Sequence, residues 1–378
     1  MASIRKRILP SGNTTWLVDF NDANGRRRAR QFATKRKADA FIVKARGEVA
    51  RGTYVHDPES VTVATAAQAW LERCAERRDG RRRMEKATFR DYEGKTRLHI
   101  LDPDLGIGGL KLSRLTRKVV SEFRDRLLPA GRSEAQTRKI LSVLSLIVDQ
   151  AQEDGMIGQN PVKGVRVLGK GRAKRPIVIP TRETVRLLVN TASDAFRPLL
   201  IVATLCGLRA SETRGLRWSD VDFAGGSIHV RHRADAYNEF GDPKSAAGYR
   251  SVPMGPYAAA ALRRWRLICP QSALDLVFPT ARGTVESHSN ILKRKFKPLC
   301  RQLSIKMRWH DLRHFAVSLW IEQGFNVKEV MTFAGHSSVQ MTMDRYGHLF
   351  PSPDHQGGMA EIEERLFGSP QHIRNIAG

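Results

Sequence analysis

Apolar positions follow different periods in successive parts of the chain. Near the start, Trp16, Val18 and Phe20 alternate with polar residues, the period of a half-buried strand. Asn24-Gly25 is a hairpin signal, and Arg28, Arg30 and Phe32 continue as a second strand with arginines at alternating positions. Thr34 then caps a predicted helix carrying Ala38, Phe41, Ile42, Ala45 and Val49 on one face. The pattern predicts a small sheet packed on one helix over residues 1–57.

Residues 62–160 read as helical. Thr65 precedes Ala66 to Leu71, and a second helix runs through Phe89, Tyr92 and Leu98. A third begins near Thr116 and carries Val119, Val120, Phe123 and Leu127. The fourth has Ser133 as cap, then Ile140, Leu141, Leu144, Ile147, Val148 and Ala151 at helical spacing, and stops at Gly155. Short loops between them predict a bundle. Asn160-Pro161 ends it. A linker over 161–178 follows, where Lys163 to Arg175 holds six Lys/Arg, three glycines and no acid. Such a segment suits a DNA backbone or serves as a plain surface connection.

A further domain is expected over 179–350, mixing helices with a little sheet. Thr181 is its first cap, Phe196 to Leu205 an apolar helix ending at Gly207, and Ser211 a cap for the next helix. Ser227 to Arg231 alternates like a strand that pairs with Arg250 to Pro253, and helices dominate from Ser289. In the tail, 351–378, Ile362, Leu366 and Phe367 share one helical face.

Charge narrows the partner. The 378 residues are 41% hydrophobic, enough for two or three folded domains, and carry a formal net charge of +26. That excess repels itself unless a polyanion binds: nucleic acid first, an anionic membrane surface second. No stretch approaches the roughly 18 apolar residues of a membrane span, and the basic N-terminus lacks the apolar run of a signal peptide. Cysteines 74, 206, 269 and 300 form no CxxC pair, as expected of reduced thiols in a cytoplasmic protein. Residues 1–55 hold 13 Lys/Arg against 4 Asp/Glu. Arg26, Arg28 and Arg30 there, and Lys174 and Arg175 in the linker, are candidate DNA contacts. The front module also suits a basic protein-interaction surface. Arg81-Arg82-Arg83 could touch phosphates or form a solvated helix face.

The chemistry concentrates in four late stretches: Gly207-Leu208-Arg209-Ala210-Ser211-Glu212, His310-Asp311-Leu312-Arg313, Ala334-Gly335-His336-Ser337 and Tyr346-Gly347-His348. Lys244 lies between the first two. Attack of an oxygen on a phosphodiester builds negative charge, so positioning and charge stabilisation do most of the work. Guanidinium suits it, being planar, permanently charged and bidentate toward phosphate. Taken singly, each residue has a bland explanation: Arg209 or Arg313 as surface or salt-bridged arginines, Tyr346 as a packed aromatic, GHSS as a capped loop, Glu212 as a helix-terminal charge. His229, His232 and the acids near Asp242 lack metal-ligand spacing, and no phosphate-cradling glycine loop is present, so neither metal nor other cofactor is expected.

In this order and context, Arg209, Lys244, His310, Arg313, His336 and Tyr346 resemble the active site of the tyrosine recombinases, the phage-type integrases. The resemblance is strong over residues 180–350, a matter of pattern over 62–160 and loose over 1–55. It implies a mainly α multidomain fold with small β parts: an arm-binding-like sheet and helix, a helical core-binding bundle and a mixed α/β catalytic domain. It implies Tyr346 as nucleophile, His310 as acceptor of its proton, His336 as donor to a non-bridging oxygen and Lys244, on a hairpin tip, as acid for the leaving 5′ oxygen. Glu212 would orient a neighbouring cation or histidine. It further implies double-stranded DNA as partner, a homotetramer, a Holliday junction and accessory bending or direction-setting proteins. Phe315-Ala316 and Ala334 depart from the usual small hydroxyl residue and leucine, both at packing positions. A type IB topoisomerase, a silent DNA-binding protein and a histidine-based nuclease remain as alternatives.

Overall fold

The computed structural model describes residues 2–22, 25–50, 54, 56, 59–79, 84–167, 177–351 and 355–367, in two compact units, Met1–Ala173 and Lys174–Gly378.

The first unit opens with an antiparallel sheet, β1 (Ser3–Ile8), β2 (Thr14–Asn21) and β3 (Arg27–Phe32), in that order. Val18 pairs with Ile4 on one side and Arg30 on the other. Val18 and Phe20 are buried against Ala38, Ile42 and Ala45 of α1 (Lys35–Ala50), so the period-2 and helical patterns meet in one small core. β1 was not anticipated. Its sequence, SIRKRI, is basic and largely exposed, and pairing with β2 rather than burial holds it.

The bundle contains α2 (Val63–Asp79), α3 (Lys86–Lys95) running into a π turn (Thr96–Ile100), α4 (Arg117–Leu127) and α5 (Glu134–Glu153). The Thr116 and Ser133 hydroxyls accept from the N–H groups of Val119 and Gln136, as the cap signals predict. Trp70, Ile100, Phe123, Ile140, Leu144 and Ile147 form its core. Asn160 closes it: its amide donates to the Ser145 carbonyl and to Asp149, and its carbonyl accepts from Val162 N–H.

The second unit begins with α6 (Arg182–Thr191), capped by Thr181, α7 (Arg197–Leu205) and the short α8 (Ala210–Arg214). A three-stranded antiparallel sheet follows, with β4 (Val221–Asp222), β5 (Ser227–Val230) and β8 (Arg250–Pro253) in that order. A two-stranded ribbon of β6 (Arg233–Ala234) and β7 (Phe240–Gly241) lies between β5 and β8 in sequence. The expected strand pairing is present, Ser227 opposite Pro253 and Val230 opposite Arg250. Then come α9 (Pro256–Arg266), α10 (His288–Asn290) with a π turn (Ile291–Phe296), α11 (Lys297–Gln302), α12 (Trp309–Glu322), α13 (Val327–Ala334), α14 (Val339–Tyr346) and α15 (His355–Phe367). Among the described residues no helix is long and apolar enough to cross a membrane.

The apolar helix α7 is buried almost throughout and packs against α9 and α12. Gly207, which ends it, has φ +58°. A Cβ there would stand 2.8 Å from the Trp320 ring and 3.1 Å from Ala316, so both backbone and space require glycine. That contact brings the Arg209 segment onto α12. The α8 start differs from expectation: Arg209, not Ser211, is the N-cap, and Glu212 reaches back to accept from Arg209 N–H at 2.8 Å.

Candidate active site

The C-terminus of α13 organises the site. A helix end leaves carbonyls without intrahelical donors and carries partial negative charge. Here three successive carbonyls each take a guanidinium. Phe333 O accepts from Arg250 Nε at 2.7 Å, Ala334 O from Arg313 Nη2, and Gly335 O from Arg209 Nη2 at 2.6 Å. Gly335, at φ +59°, turns the chain here, and a Cβ would stand 2.9 Å from Arg250 Nη1 and 3.0 Å from Ala247 O.

The arginines share one carboxylate. Glu212, 4% exposed, accepts from Arg209 Nη1 at 2.7 Å and from Arg250 Nη1 and Nη2 at 3.1 and 2.8 Å. Burial works to raise its pKa. Hydrogen bonds and charge from Arg250, with Arg209 and Arg313 behind them, overcome this and hold it at about 2. Arg313 is 3% exposed and also donates to Gly207 O at 2.6 Å. Burial, then the charge of Arg209, pulls it down to about 9, so it remains a cation at neutral pH. The sequence reading passed over Arg250 as one residue of a strand. Its signal was an arginine at an inward position of that strand, opposite Val230.

The tyrosine is enclosed. Tyr346 ends α14, which Ser338 caps through Met341 N–H, and is 1% exposed. His336 lies with its ring nearly parallel to the phenol, centroids 6.3 Å apart, and its Nδ1 is 2.9 Å from Thr342 Oγ1. Burial first, then Arg313 and Arg209, lowers the His336 pKa to about 3. Burial raises the phenol's pKa, against the pull of Arg313 and Arg345.

His310 and Arg313 lie one turn apart on α12, as their spacing predicts. Their environments differ: Arg313 is buried and His310 exposed. The phenol's hydrogen bond is to a residue the sequence reading did not assign. His314 Nδ1 lies 2.6 Å from Tyr346 Oη, and the His310 ring stands edge-on to His314 at 4.7 Å. His314 was legible only as the last letter of HDLRH. Burial, then His310, lowers its pKa to about 4.

Lys244 is exposed and lies after β7, not on the ribbon tip, which spans 235–239. It precedes a 3-10 turn, Ala246–Gly248, whose Ala247 carbonyl faces Gly335. Its chain segment therefore reaches the edge of the site.

The DNA-contact arginines separate. Arg26 is exposed, 4.0 Å from Glu59. Arg30 lies over the rings of Phe41 and Phe32 at 5.2 and 5.6 Å. Arg28 is more enclosed: its side chain is 12% exposed and its guanidinium is held by Asp22 at 2.7 Å and Glu59 at 2.8 Å. Lys174, Arg175, Asn24 and Arg81-Arg82-Arg83 lie outside the described residues.

The sequence pattern of the phage integrase family matches residues 172–352. Tyrosine recombinase XerC of Xanthomonas campestris pv. campestris (strain B100) is 30% identical over 249 residues, 64% of this chain and 71% of that protein. The ICEBs1 integrase of Bacillus subtilis (strain 168) is 28% identical over 254 residues, 64% and 69% of the two. Among solved structures, the Tn1549 transposon integrase in complex with a circular intermediate DNA aligns at TM-score 0.64 and 20% identity, over 81% of this chain and all of that one. A lambda integrase tetramer bound to a Holliday junction aligns at 0.57 and 18%, over 88% and 95%. The chain belongs to the tyrosine recombinase family, the phage-type integrases, and is an enzyme of site-specific DNA recombination.

Proposed function

We propose that the protein integrates or excises a phage or other mobile element by transesterification. Tyr346 attacks the scissile phosphate and forms a 3′-phosphotyrosyl link. Arg209 and Arg313 neutralise the equatorial oxygens, His336 donates a hydrogen bond to one of them, and Glu212 fixes the Arg209 guanidinium. His310 lines the site beside the phenol's partner. Lys244 protonates the departing 5′ oxygen. The 5′-hydroxyl of the partner strand then attacks and religates, so the phosphotyrosyl bond conserves the energy of the broken phosphodiester. The observation that carries this reading is the convergence of Arg209 and Arg313 on adjacent carbonyls at the end of α13, with His336 and enclosed Tyr346 beside them.

The working assembly is a homotetramer on two duplexes that passes through a Holliday junction, as the lambda integrase tetramer is bound to one. Arg26, Arg28, Arg30, Lys174 and Arg175 contact DNA, an accessory bending or excision-direction protein sets the outcome, and the reaction runs on cytoplasmic DNA. α15, with Ile362 and Leu366 exposed one turn apart, docks on a neighbouring protomer. The test is a nicked suicide substrate spanning the element's junctions, incubated in chelator and run on a denaturing protein gel. The reading expects a slow covalent adduct that disappears in Tyr346→Phe. Specific binding with no adduct would refute it.

A further inference from the structure

We propose that His314 is a catalytic residue whose Nδ1 takes the phenolic proton of Tyr346 as the oxygen attacks phosphate. The inference rests on Tyr346 being the nucleophile and gives its proton to His314 rather than to His310. An ordinary phenol has a pKa of about 10 and needs a base near neutral pH. Burial moves Tyr346 further from ionising. A base must be within hydrogen-bond reach, and His314 Nδ1 is 2.6 Å from Tyr346 Oη. Both side chains are enclosed, at 5% and 1% exposure, which shields the phenol from water as an alternative acceptor. His310, the acceptor expected from sequence, meets His314 through its ring edge and is itself exposed.

The imidazole is also in the right protonation state. Burial and His310 keep it neutral at physiological pH, with a lone pair free to accept once the Nε2 tautomer is present. It follows Arg313 directly on α12, so one helix carries both a buried cation of the site and the acceptor. In the step, the Oη–P bond forms as the P–O5′ bond breaks. The phenolic proton passes to His314 Nδ1, and the 5′ oxygen leaves with a proton from Lys244. Religation reverses both transfers, with His314 returning its proton to Oη.

The test is single-turnover cleavage of the nicked suicide substrate by full-length protein carrying His314→Asn or His314→Gln. Each is run with tyrosine or 3,5-difluorotyrosine at position 346. Asn and Gln keep an acceptor oxygen but cannot carry the proton. The inference expects adduct formation to slow about 100-fold or more with DNA affinity unchanged, the usual scale for loss of a general base. The more acidic difluorophenol should recover at least about tenfold in the variants and change the wild-type rate little. Cleavage within about threefold of wild type in a folded variant overturns it. So does a loss that difluorotyrosine fails to recover, which would make His314 a packing residue. An adduct persisting in Tyr346→Phe would instead overturn the nucleophile assignment itself.

Discussion

Replacing Glu212 by glutamine tests whether one buried carboxylate holds the arginine cluster. Its two oxygens accept four hydrogen bonds, from Arg209 N–H and Nη1 and from Arg250 Nη1 and Nη2, between 2.7 and 3.1 Å. Arg250 is 1% exposed at its side chain, so water cannot replace what is lost. Glutamine keeps one acceptor oxygen and turns an amide N–H₂ toward guanidinium donors. At least one buried donor then goes unmet, and the Arg250 charge loses its counter-ion. Breaking a buried ion pair costs about 3–5 kcal/mol, because the remaining charge stays desolvated. For a unit of this size about 1 kcal/mol moves the melting temperature by roughly 2–4 °C, so a fall of roughly 6–20 °C is expected. The assay is thermal unfolding of the full chain followed by circular dichroism, beside suicide-substrate cleavage. Glu212→Leu combined with Arg250→Met should recover most of the stability, since a buried pair replaced by apolar groups is often near neutral. Activity should stay low, because Arg209 keeps no carboxylate. Melting of Glu212→Gln within about 2 °C of wild type would refute the argument.

Other outcomes follow from the same geometry. Gly335→Ala puts a Cβ into a left-handed position and against Arg250, so a loss of about 2–4 kcal/mol in urea unfolding is expected, together with weakened cleavage. Stability should fall on acidification. His314 and His336 titrate near 4 and 3 when folded, below the ordinary 6.5, so the unfolded chain takes up protons the folded one does not. Their contribution is complete above pH 6.5 and is lost as pH falls toward those values, on the order of 2 kcal/mol each by pH 5. Glu212, held at about 2, adds a further loss below pH 4.5. Urea midpoints at pH 7.5 and 5 check the sign. DNA affinity should drop about a thousandfold between 50 and 200 mM salt if several phosphates are neutralised. A near-flat dependence measured by fluorescence anisotropy would exclude an extended backbone interface. Arg28→Ala should change affinity less than Arg30→Ala, since Arg28 is already ion-paired.

What could be read from sequence had a local physical cause. Ser133 and the apolar stripe through Ile147 specify α5 because cap chemistry and helical period agree there. The β5–β8 pairing was legible from two short alternating runs. Features decided by distant partners were not. β1 is basic and exposed, and only its register with β2 makes it a strand. Ser211 is a better local cap than Arg209, but Glu212 supplies the back-bond and the arginine is drawn to Gly335. Arg250 and His314 carry no motif of their own. Their importance lies in contacts across 38 and 32 residues of sequence, which only the folded chain brings together. Arg28 shows the converse, an arginine in a basic strand whose charge two acids already claim.

The central claim is that Tyr346 becomes joined to DNA. The most direct measurement digests the covalent adduct with nuclease and trypsin and sequences the nucleotide-bearing peptide by mass spectrometry. Cleavage after Arg345 releases a peptide that begins at Tyr346. The account predicts a 3′-linked nucleotide on that first residue, and attachment to any other side chain would contradict it.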